Sequence, residues 1–311
     1  MIPFVSRANA SNQSIWIAAL SASMPNEVVV PFSELTDDQR MQCDLAIVAN
    51  PSPQDLLMLP NLKWVHSVWV GVERMINELV SPSFSIVRLV DPELTNTMSE
   101  AVLAWTLFLH RDMPTYTQQQ EQVIWLQKPM VRAKDRRIGV LGLGELGQVS
   151  AKRLVDNGFS VSGWSRRAKL VAGVQCFHGE DGLGQLLSQS DILICLLPLT
   201  PQTKGLLGEK NLSLLPFGAG LINFARGPII DDLALLDALE QGHVSHAVLD
   251  VFMQEPLPSD HVYWRHQNVS VLPHISAPTH PQSASKIVAD NVLRYRLDAS
   301  IPEAVDLNRG Y

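Results

Sequence analysis

Three residues with complementary acid–base chemistry lie in the second half of the chain: Arg226, Glu255 and His274. Each comes shortly after a short apolar run that predicts a buried strand, and the carboxyl ends of parallel strands meet at one edge of a sheet. An arginine there can hold a carboxylate and polarise a ketone, while a histidine protonates the ketone oxygen as hydride reaches the carbon. A glutamate beside the histidine keeps it charged near neutral pH. Each residue alone has a plain structural explanation, but together they suit the reduction of a 2-oxo acid.

A glycine-rich turn precedes these residues at 142–147. Gly142, Gly144 and Gly147 have the G-x-G-x-x-G spacing of dinucleotide sites, and 137–147 predicts the strand, turn and helix that such a site needs. The first glycine allows the tight turn, the second lets a pyrophosphate approach, and the third lets the helix pack closely on the strand. The N-terminus of the helix offers free N–H groups and a partial positive charge to the phosphates.

The same glycines also fit the phosphate loop of kinases, and 110–112 reads His-Arg-Asp, as in a kinase catalytic loop. That order is wrong for a kinase, because the His-Arg-Asp triplet precedes the glycines. No Val-Ala-Ile-Lys strand or Asp-Phe-Gly motif follows them. The strand at 138–141 and the helix at 146–155 favour the dinucleotide interpretation.

The end of the next predicted strand, 159–164, bears on the choice of dinucleotide. In NAD-binding proteins of this fold an acidic residue closes that strand and binds the ribose 2′-hydroxyl. Here the position is taken by Ser165, followed by Arg166 and Arg167. Arginines can form bidentate contacts with a 2′-phosphate, which a carboxylate would repel. The sequence therefore favours NADP (NADPH) over NAD. The alternative is that the two arginines are only solvated.

Two α/β units are needed to position these residues, and alternating strands and helices predict parallel sheets. In the first unit the predicted strands are 15–20, 45–48, 64–68 and 86–90, and the predicted helices are 37–42, 54–59 and 72–79. In the second the later strands are 191–196, 219–224, 247–251 and 269–272. Pro198 and Thr203 follow the first of these and should line the ligand crevice. Between the units, 98–109 predicts a well-buried helix, and 116–128 either wraps over a neighbour or forms a surface helix anchored by Trp125.

Bulk properties exclude several classes of protein. A chain of 311 residues with 46% hydrophobic and 18% charged residues predicts an ordinary globular enzyme of two domains. A net charge of −7 argues against a nucleic-acid surface, and no apolar run is long enough for a membrane span. The start lacks the layout of a signal peptide, and three scattered cysteines predict reduced thiols in the cytoplasm. His243 and His246 lack further ligands for a metal site, so none is expected.

The ordered motifs over some 140 residues resemble the D-isomer-specific 2-hydroxyacid dehydrogenase family. They are Gly-Leu-Gly-Glu-Leu-Gly at 142–147, the segment 191–200, Asn-Phe-Ala-Arg-Gly at 223–227, Asp-Val-Phe at 250–252 with Glu-Pro-Leu-Pro at 255–258, and Pro-His at 273–274. Within the family the chain is most similar to the glyoxylate/hydroxypyruvate reductase A branch. The features that favour this branch are Trp-Val-Gly-Val-Glu at 69–73, the Ser-Arg-Arg strand end, and Asp-Leu-Asn-Arg-Gly-Tyr at 306–311.

The resemblance implies an α/β fold with two doubly wound parallel-sheet domains. A Rossmann NAD(P)-binding domain at 99–277 would be inserted into a flavodoxin-like substrate domain at 1–98, which residues 278–311 complete with a helix at 282–297. Backbone N–H groups of Val70 and Gly71 would grip the substrate carboxylate together with Arg226. Where the family often has smaller or polar residues, Trp69 and Met98 would give a bulky lining that favours a small substrate.

The cofactor contacts expected from these arguments form one set. It comprises Gly142, Gly144, Glu145, Leu146, Gly147, Ser165, Arg166, Arg167, Pro198, Thr203, and, from the resemblance, Ala225, Asp250 and Ser276, with Asp250 near the nicotinamide carboxamide. The expected function is NADPH-dependent reduction of glyoxylate or hydroxypyruvate to the D-2-hydroxy acid, with His274 as proton donor, in a homodimer formed through 98–128. The alternatives are an NAD-linked D-2-hydroxyacid or phosphoglycerate dehydrogenase, and a non-catalytic dinucleotide-sensing interaction module.

Overall fold

A computed structural model describes residues 1–79 and 82–307, and the chain divides into two compact units. One unit comprises Met1–Leu94 and Thr279–Tyr311, and the other comprises Thr95–Pro278. Residues 308–311 of the closing motif lie outside the described residues.

The strands are β1 Ile2–Ser6, β2 Val29–Pro31, β3 Leu45–Ala49, β4 Trp64–Ser67, β5 Ser85–Val87, β6 Arg137–Leu141, β7 Ser160–Ser165, β8 Gln175–His178, β9 Ile192–Cys195, β10 Ala219–Asn223, β11 Val244–Leu249 and β12 Val269–Val271. The helices are α1 Ala10–Ser23, α2 Asp37–Arg40, α3 Pro53–Leu57, α4 Glu73–Glu78, α5 Pro92–His110, α6 Met113–Glu121, α7 Glu145–Asp156, α8 Gly179–Ser188, α9 Glu209–Leu212, α10 Asp232–Glu240 and α11 Pro281–Asp298. Short 3₁₀ turns lie at Phe32–Glu34, Ala133–Asp135, Gly227–Ile229 and Val262–Arg265.

The first unit is a parallel sheet in the order β2-β1-β3-β4-β5, which is the flavodoxin-like order. Every residue of β3 is buried, as expected for a central strand covered on both faces. The C-terminal helix α11 belongs to this unit and packs against α1. It is also fixed to the end of the sheet by the Tyr295 hydroxyl, which donates to Asp44 Oδ2 over 2.8 Å.

The strand predicted at 15–20 is wrong, because these residues belong to helix α1. A short apolar run does not by itself distinguish a buried strand from the face of a helix. Here Trp16 and Leu20, four residues apart, are buried while Ile15 is 56% exposed, which is helical spacing. The Asn9 side chain accepts a hydrogen bond from the backbone of Asn12 and caps the helix. The strand itself is β1, which the sequence pattern did not predict, and the same holds for the short strands β2 and β8.

The second unit is a seven-stranded parallel sheet in the order β12-β11-β10-β9-β6-β7-β8. The order reverses between β6 and β9, as in the doubly wound dinucleotide-binding fold. Hydrogen-bonded neighbours run parallel throughout, so their carboxyl ends lie along one edge. The prediction of two doubly wound parallel sheets is therefore confirmed.

The helix predicted at 98–109 lies within α5 but is less buried than expected. Met98 and Val102 are buried, whereas Leu107 is 40% exposed. Helix α6 ends at Glu121, and Trp125 beyond it is 95% exposed, so the surface helix anchored by that tryptophan is wrong. Across residues 1–79 and 82–307, no helix combines the length and apolar character needed to cross a membrane.

Candidate active site

The glycine-rich turn joins β6 to α7, and two of its glycines are required by geometry. Gly142 has a φ of +102°, and a Cβ there would lie 2.8 Å from the carbonyl oxygen of Leu196. A Cβ at Gly147 would lie 1.7 Å from the carbonyl oxygen of Gly142. The tight turn and the close approach of helix to strand therefore both exclude any larger residue.

Gly144 has a different environment, because a Cβ there would meet no atom within 4 Å. It caps α7 without a side-chain hydrogen bond, and the first N–H groups of a helix, here those of Glu145 and Leu146, have no partner within the helix. Open space beside free N–H groups at a helix N-terminus suits an anionic pyrophosphate. The turn therefore fits a dinucleotide. That the three glycines contact the cofactor stays a prediction.

The segment after β7 is strongly basic. Ser165 Oγ donates to the Arg167 carbonyl oxygen over 2.7 Å, which folds the strand end into a turn, and Arg166 and Arg167 are exposed there. Lys169 Nζ donates to the carbonyl oxygen of Leu143 over 2.7 Å, in the glycine-rich turn. This lysine was not among the residues predicted from the sequence. The signal that could have indicated it is the presence of three cations within the four positions 166–169.

Pro198 and Thr203 lie in one turn after β9. Thr203 Oγ1 donates to the Pro198 carbonyl oxygen over 2.7 Å, and the backbone N–H of Thr200 donates to the same hydroxyl over 2.8 Å. Thr203 is buried and Pro198 is half-buried. The structure thus gives Thr203 a role in shaping the strand end, and its contact with a cofactor stays a prediction.

Arg226 follows β10 in a turn that its neighbours hold tightly. Asn223 is buried, and its side-chain amide donates to the Arg226 carbonyl oxygen and accepts from the Ala225 N–H, each over 3.1 Å. A Cβ at Gly227 would lie 2.0 Å from the carbonyl carbon of Phe252, so the chain passes the end of β11 in direct contact. The backbone of the half-buried Arg226 is therefore held in a fixed position.

The loop carrying His274 is held by Asp250 at the end of β11. Asp250 is 2% exposed, and its two carboxylate oxygens accept the backbone N–H groups of Ile275 over 2.7 Å and Ser276 over 2.9 Å. His274 has a φ of +55°, a conformation that costs a non-glycine residue about 1–3 kcal/mol. The hydrogen bonds that Asp250 accepts hold the loop in this conformation. The expected contact of Asp250 with a carboxamide stays a prediction beside this observed role.

Glu255 and His274 form a hydrogen-bonded pair, with 2.7 Å between Glu255 Oε2 and His274 Nδ1. The other carboxylate oxygen of Glu255 accepts the Phe252 N–H over 3.0 Å, which fixes its direction. The bond to Glu255 raises the pKa of His274 above its ordinary value, although burial and the charge of Arg226 act the other way. Burial would raise the pKa of Glu255, but hydrogen bonds from His274 and Phe252 outweigh it and lower that pKa. Both shifts favour a charged imidazolium beside a carboxylate.

Replacing Glu255 with glutamine is expected to narrow the pH range over which His274 stays protonated. We expect His274 to act as a proton donor, which works only when protonated. Its pKa is raised by Glu255, so activity should decline as the pH rises through that raised pKa. Without the carboxylate charge the decline moves to lower pH, and kcat in neutral or alkaline buffer falls by about tenfold. The measurement is a pH profile of kcat, with the exposed Glu240→Gln as matched control; an unshifted alkaline limb would contradict the pairing.

The structure joins Glu255 and His274 directly, and Arg226 lies near enough for its charge to lower the pKa of both. The hydroxyl oxygen of Ser276 is buried and has no hydrogen-bond partner among the described residues. An unpaired buried hydroxyl is costly unless a ligand satisfies it, which fits the predicted cofactor contact. The described residues contain no group of three side chains suited to a metal ion.

The backbone N–H groups that are predicted to bind the substrate carboxylate lie on the loop after β4, in the first unit. The Trp69 N–H donates to Ser67 Oγ over 3.0 Å, and the Trp69 carbonyl oxygen accepts the Leu89 N–H over 3.1 Å. Trp69 meets Trp16 edge to face, with 5.6 Å between ring centroids. The N–H groups of Val70 and Gly71, in contrast, have no hydrogen-bond partner within residues 1–79 and 82–307.

Taken together, a doubly wound dinucleotide fold and an Arg–Glu–His set at its strand ends define a nicotinamide-dependent oxidoreductase. The sequence model of the D-isomer specific 2-hydroxyacid dehydrogenases, NAD binding domain, matches residues 103–276. The chain belongs to this family, as the sequence predicted.

Two curated relatives are glyoxylate/hydroxypyruvate reductases A. The protein from Photorhabdus laumondii is 35% identical over 302 residues, which cover 95% of this chain and 96% of that one. The protein from Serratia proteamaculans is 35% identical over 306 residues, which cover 96% and 97%. The similarity to this branch of the family, predicted from the sequence, is confirmed.

Solved structures agree over the full length. A D-isomer specific 2-hydroxyacid dehydrogenase from Xanthobacter autotrophicus, in complex with NADPH and MES, is 36% identical with a TM-score of 0.92, covering 100% of this chain and 99% of that one. An NADPH-dependent glyoxylate/hydroxypyruvate reductase from Sinorhizobium meliloti, in complex with NADP and sulfate, is 30% identical with a TM-score of 0.91 and the same coverage. The cofactors in these two relatives agree with the preference for NADP predicted from the residues after β7.

Proposed function

We propose that this protein reduces glyoxylate or hydroxypyruvate to the corresponding D-2-hydroxy acid, with NADPH as the reductant. The observation that carries the proposal is the pair of His274 and Glu255, 2.7 Å apart, beside Arg226 on a dinucleotide-binding sheet. Two relatives of about the same length are glyoxylate/hydroxypyruvate reductases, which supports this substrate class.

Each residue of the set has one task in this reaction. A bound nicotinamide supplies the hydride that reaches the keto carbon. Because Nδ1 of His274 is engaged by Glu255, Nε2 is the atom that delivers the proton to the keto oxygen. Arg226 holds the carboxylate and polarises the ketone, and Glu255 keeps the imidazole charged and oriented.

For the substrate carboxylate we assign the free N–H groups of Val70 and Gly71 in the first unit, and the guanidinium of Arg226 in the second. In this assignment, the unit of residues 1–94 and 279–311 binds substrate and the unit of residues 95–278 binds cofactor. The bulk of Trp69, on the loop after β4, and of Met98, in α5, favours the smallest 2-oxo acids.

The test is steady-state kinetics over a panel of 2-oxo acids, with NADPH and NADH under the same conditions. Glyoxylate or hydroxypyruvate with NADPH should give the highest kcat/KM. A branched 2-oxo acid preferred over both would contradict the size restriction. Inactivity with every acid and either cofactor would instead favour a dinucleotide-sensing interaction module.

Cofactor choice is attributed to Arg166 and Arg167, which would pair with the 2′-phosphate. Arg166→Asp is expected to raise KM for NADPH by about tenfold or more, because it puts a carboxylate beside the phosphate. KM for NADH should change little or fall. The ratio of kcat/KM for the two cofactors measures this, and Arg265→Asp, an exposed arginine in the same unit, is the control. Equal losses with both cofactors would contradict the assignment.

We propose a homodimer and a cytoplasmic location, supported by an exposed apolar surface and by the chemistry of the cysteines. Beyond α6 an apolar segment is uncovered, with Val123 at 93% and Trp125 at 95% exposed. A second copy of the chain that covers the region 98–128 removes this surface from water, giving a homodimer. Light scattering should then report twice 34.4 kDa. The cysteines are all free thiols, which suits the reducing cytoplasm.

A further inference from the structure

The side chain of Lys169, four residues beyond the end of β7, contacts the glycine-rich turn directly. The segment 165–179 contains three cations, Arg166, Arg167 and Lys169, and no aspartate or glutamate. In a protein with a net charge of −7, such a concentration of cations favours an anionic ligand.

The end of β7 and the glycine-rich turn are immediate neighbours. Strands β6 and β7 pair in register up to Leu141 and Trp164, and the Gly142 N–H donates to the Trp164 carbonyl oxygen over 2.9 Å. In the doubly wound fold the pyrophosphate lies at the turn, and the adenosine ribose lies toward the end of the second strand. A substituent on the ribose 2′-oxygen of a bound cofactor would therefore lie close to the boundary between these two segments.

The ammonium group of Lys169 occupies this boundary. Nζ donates to the carbonyl oxygen of Leu143 over 2.7 Å, and the amide of Gln148 donates to the same oxygen over 3.1 Å. An ammonium has three donors, so two remain for oxygens of a ligand. It also reverses the sign of the local field, because a carbonyl oxygen alone would repel a nearby phosphate.

We propose that Lys169 is a third cation for the adenosine 2′-phosphate of NADPH, held at the glycine-rich turn by Leu143, and that it strengthens discrimination against NADH. The inference rests on the proposed use of NADPH. It assigns Lys169 as a specificity residue that touches the cofactor and takes no part in hydride or proton transfer.

Equilibrium binding to the full-length protein tests this assignment without turnover. Calorimetric titrations would use NADPH, NADH, adenosine 2′-monophosphate and adenosine. Lys169→Met keeps the apolar stem and removes the charge, whereas Lys169→Gln can still donate to Leu143. Lys152→Met removes a charge elsewhere in the unit, where Lys152 pairs with Asp156 on the exposed side of α7.

Both Lys169 variants should weaken NADPH and adenosine 2′-monophosphate by about tenfold, or about 1.4 kcal/mol, with NADH and adenosine changed by less than about twofold. Lys169→Arg and Lys152→Met should stay within about threefold of the wild type for every ligand. If Lys169→Met proves unstable on thermal unfolding, Lys169→Gln decides the question.

Three outcomes would overturn the assignment. Equal weakening of NADPH and NADH would mean that Lys169 only braces the turn. Unchanged binding of every ligand would mean that it does not contact the cofactor. A wild type that binds NADH as tightly as NADPH would refute the proposed cofactor preference itself, and the role of Lys169 with it.

Discussion

The His274→Asn variant is expected to lose about 10²–10⁴-fold in kcat for reduction of 2-oxo acids, the range typical of a lost general acid. The reason is that Nε2 is the only ring nitrogen left to reach the substrate once Nδ1 is bonded to Glu255. Asparagine retains polarity and tolerates the left-handed backbone found at this position, with its φ of +55°. The substitution therefore removes the proton and leaves the loop in place.

Binding of NADPH to the same variant should change by less than about twofold, because the glycine-rich turn and the basic segment after β7 are untouched. The measurements are single-turnover kinetics and a direct titration of cofactor. His178→Asn, an exposed histidine in the same unit, is the control and should behave as wild type. Loss of cofactor binding would give His274 a structural role and contradict its assignment as proton donor.

Replacement of Arg226 by glutamine should affect both binding and turnover. A guanidinium that holds the carboxylate in the ground state and polarises the ketone in the transition state contributes to KM and to kcat. We expect a loss of about 10³-fold in kcat/KM, divided between the two constants. Arg226→Lys should recover only part of this, since an ammonium cannot make the same bidentate contact.

The test for Arg226 is a full substrate titration at saturating NADPH, with Arg265→Gln as the matched control. A raised KM with kcat unchanged would restrict Arg226 to binding. A change in the affinity for NADPH would point to collapse of the turn that Asn223 and Gly227 hold, since both contact it closely. Either result would contradict the double role.

The two expected effects depend on residues that the sequence alone indicates. Arg226, Glu255 and His274 are separated by up to 48 residues (274 − 226), yet each follows a strand of the same sheet. Parallel strands place such positions on one edge whatever the loops between them do, so the convergence was predictable. The family and the two parallel sheets were also predictable from local motifs and strand patterns, and both are confirmed.

Other features could not be predicted from local sequence. The run at 15–20 is apolar enough for a strand, and only its place beside β1 and α11 makes it a helix. The exposure of Trp125 depends on which elements of the fold reach it, and within one chain none of the described elements does. Local composition does not determine either property, because both depend on packing partners distant in the chain.

The sequence by itself predicted the family, the glycine-rich turn, and the three residues proposed for the reaction, because strand periodicity and glycine spacing are local signals. Only the tertiary structure decided how these residues are held. It placed Asp250 under the loop of His274, oriented Glu255 through the Phe252 N–H, and brought Lys169 onto the carbonyl of Leu143. Hydrogen bonds of this kind join segments separated by up to 26 residues, and such distances are set by the packing of the sheet.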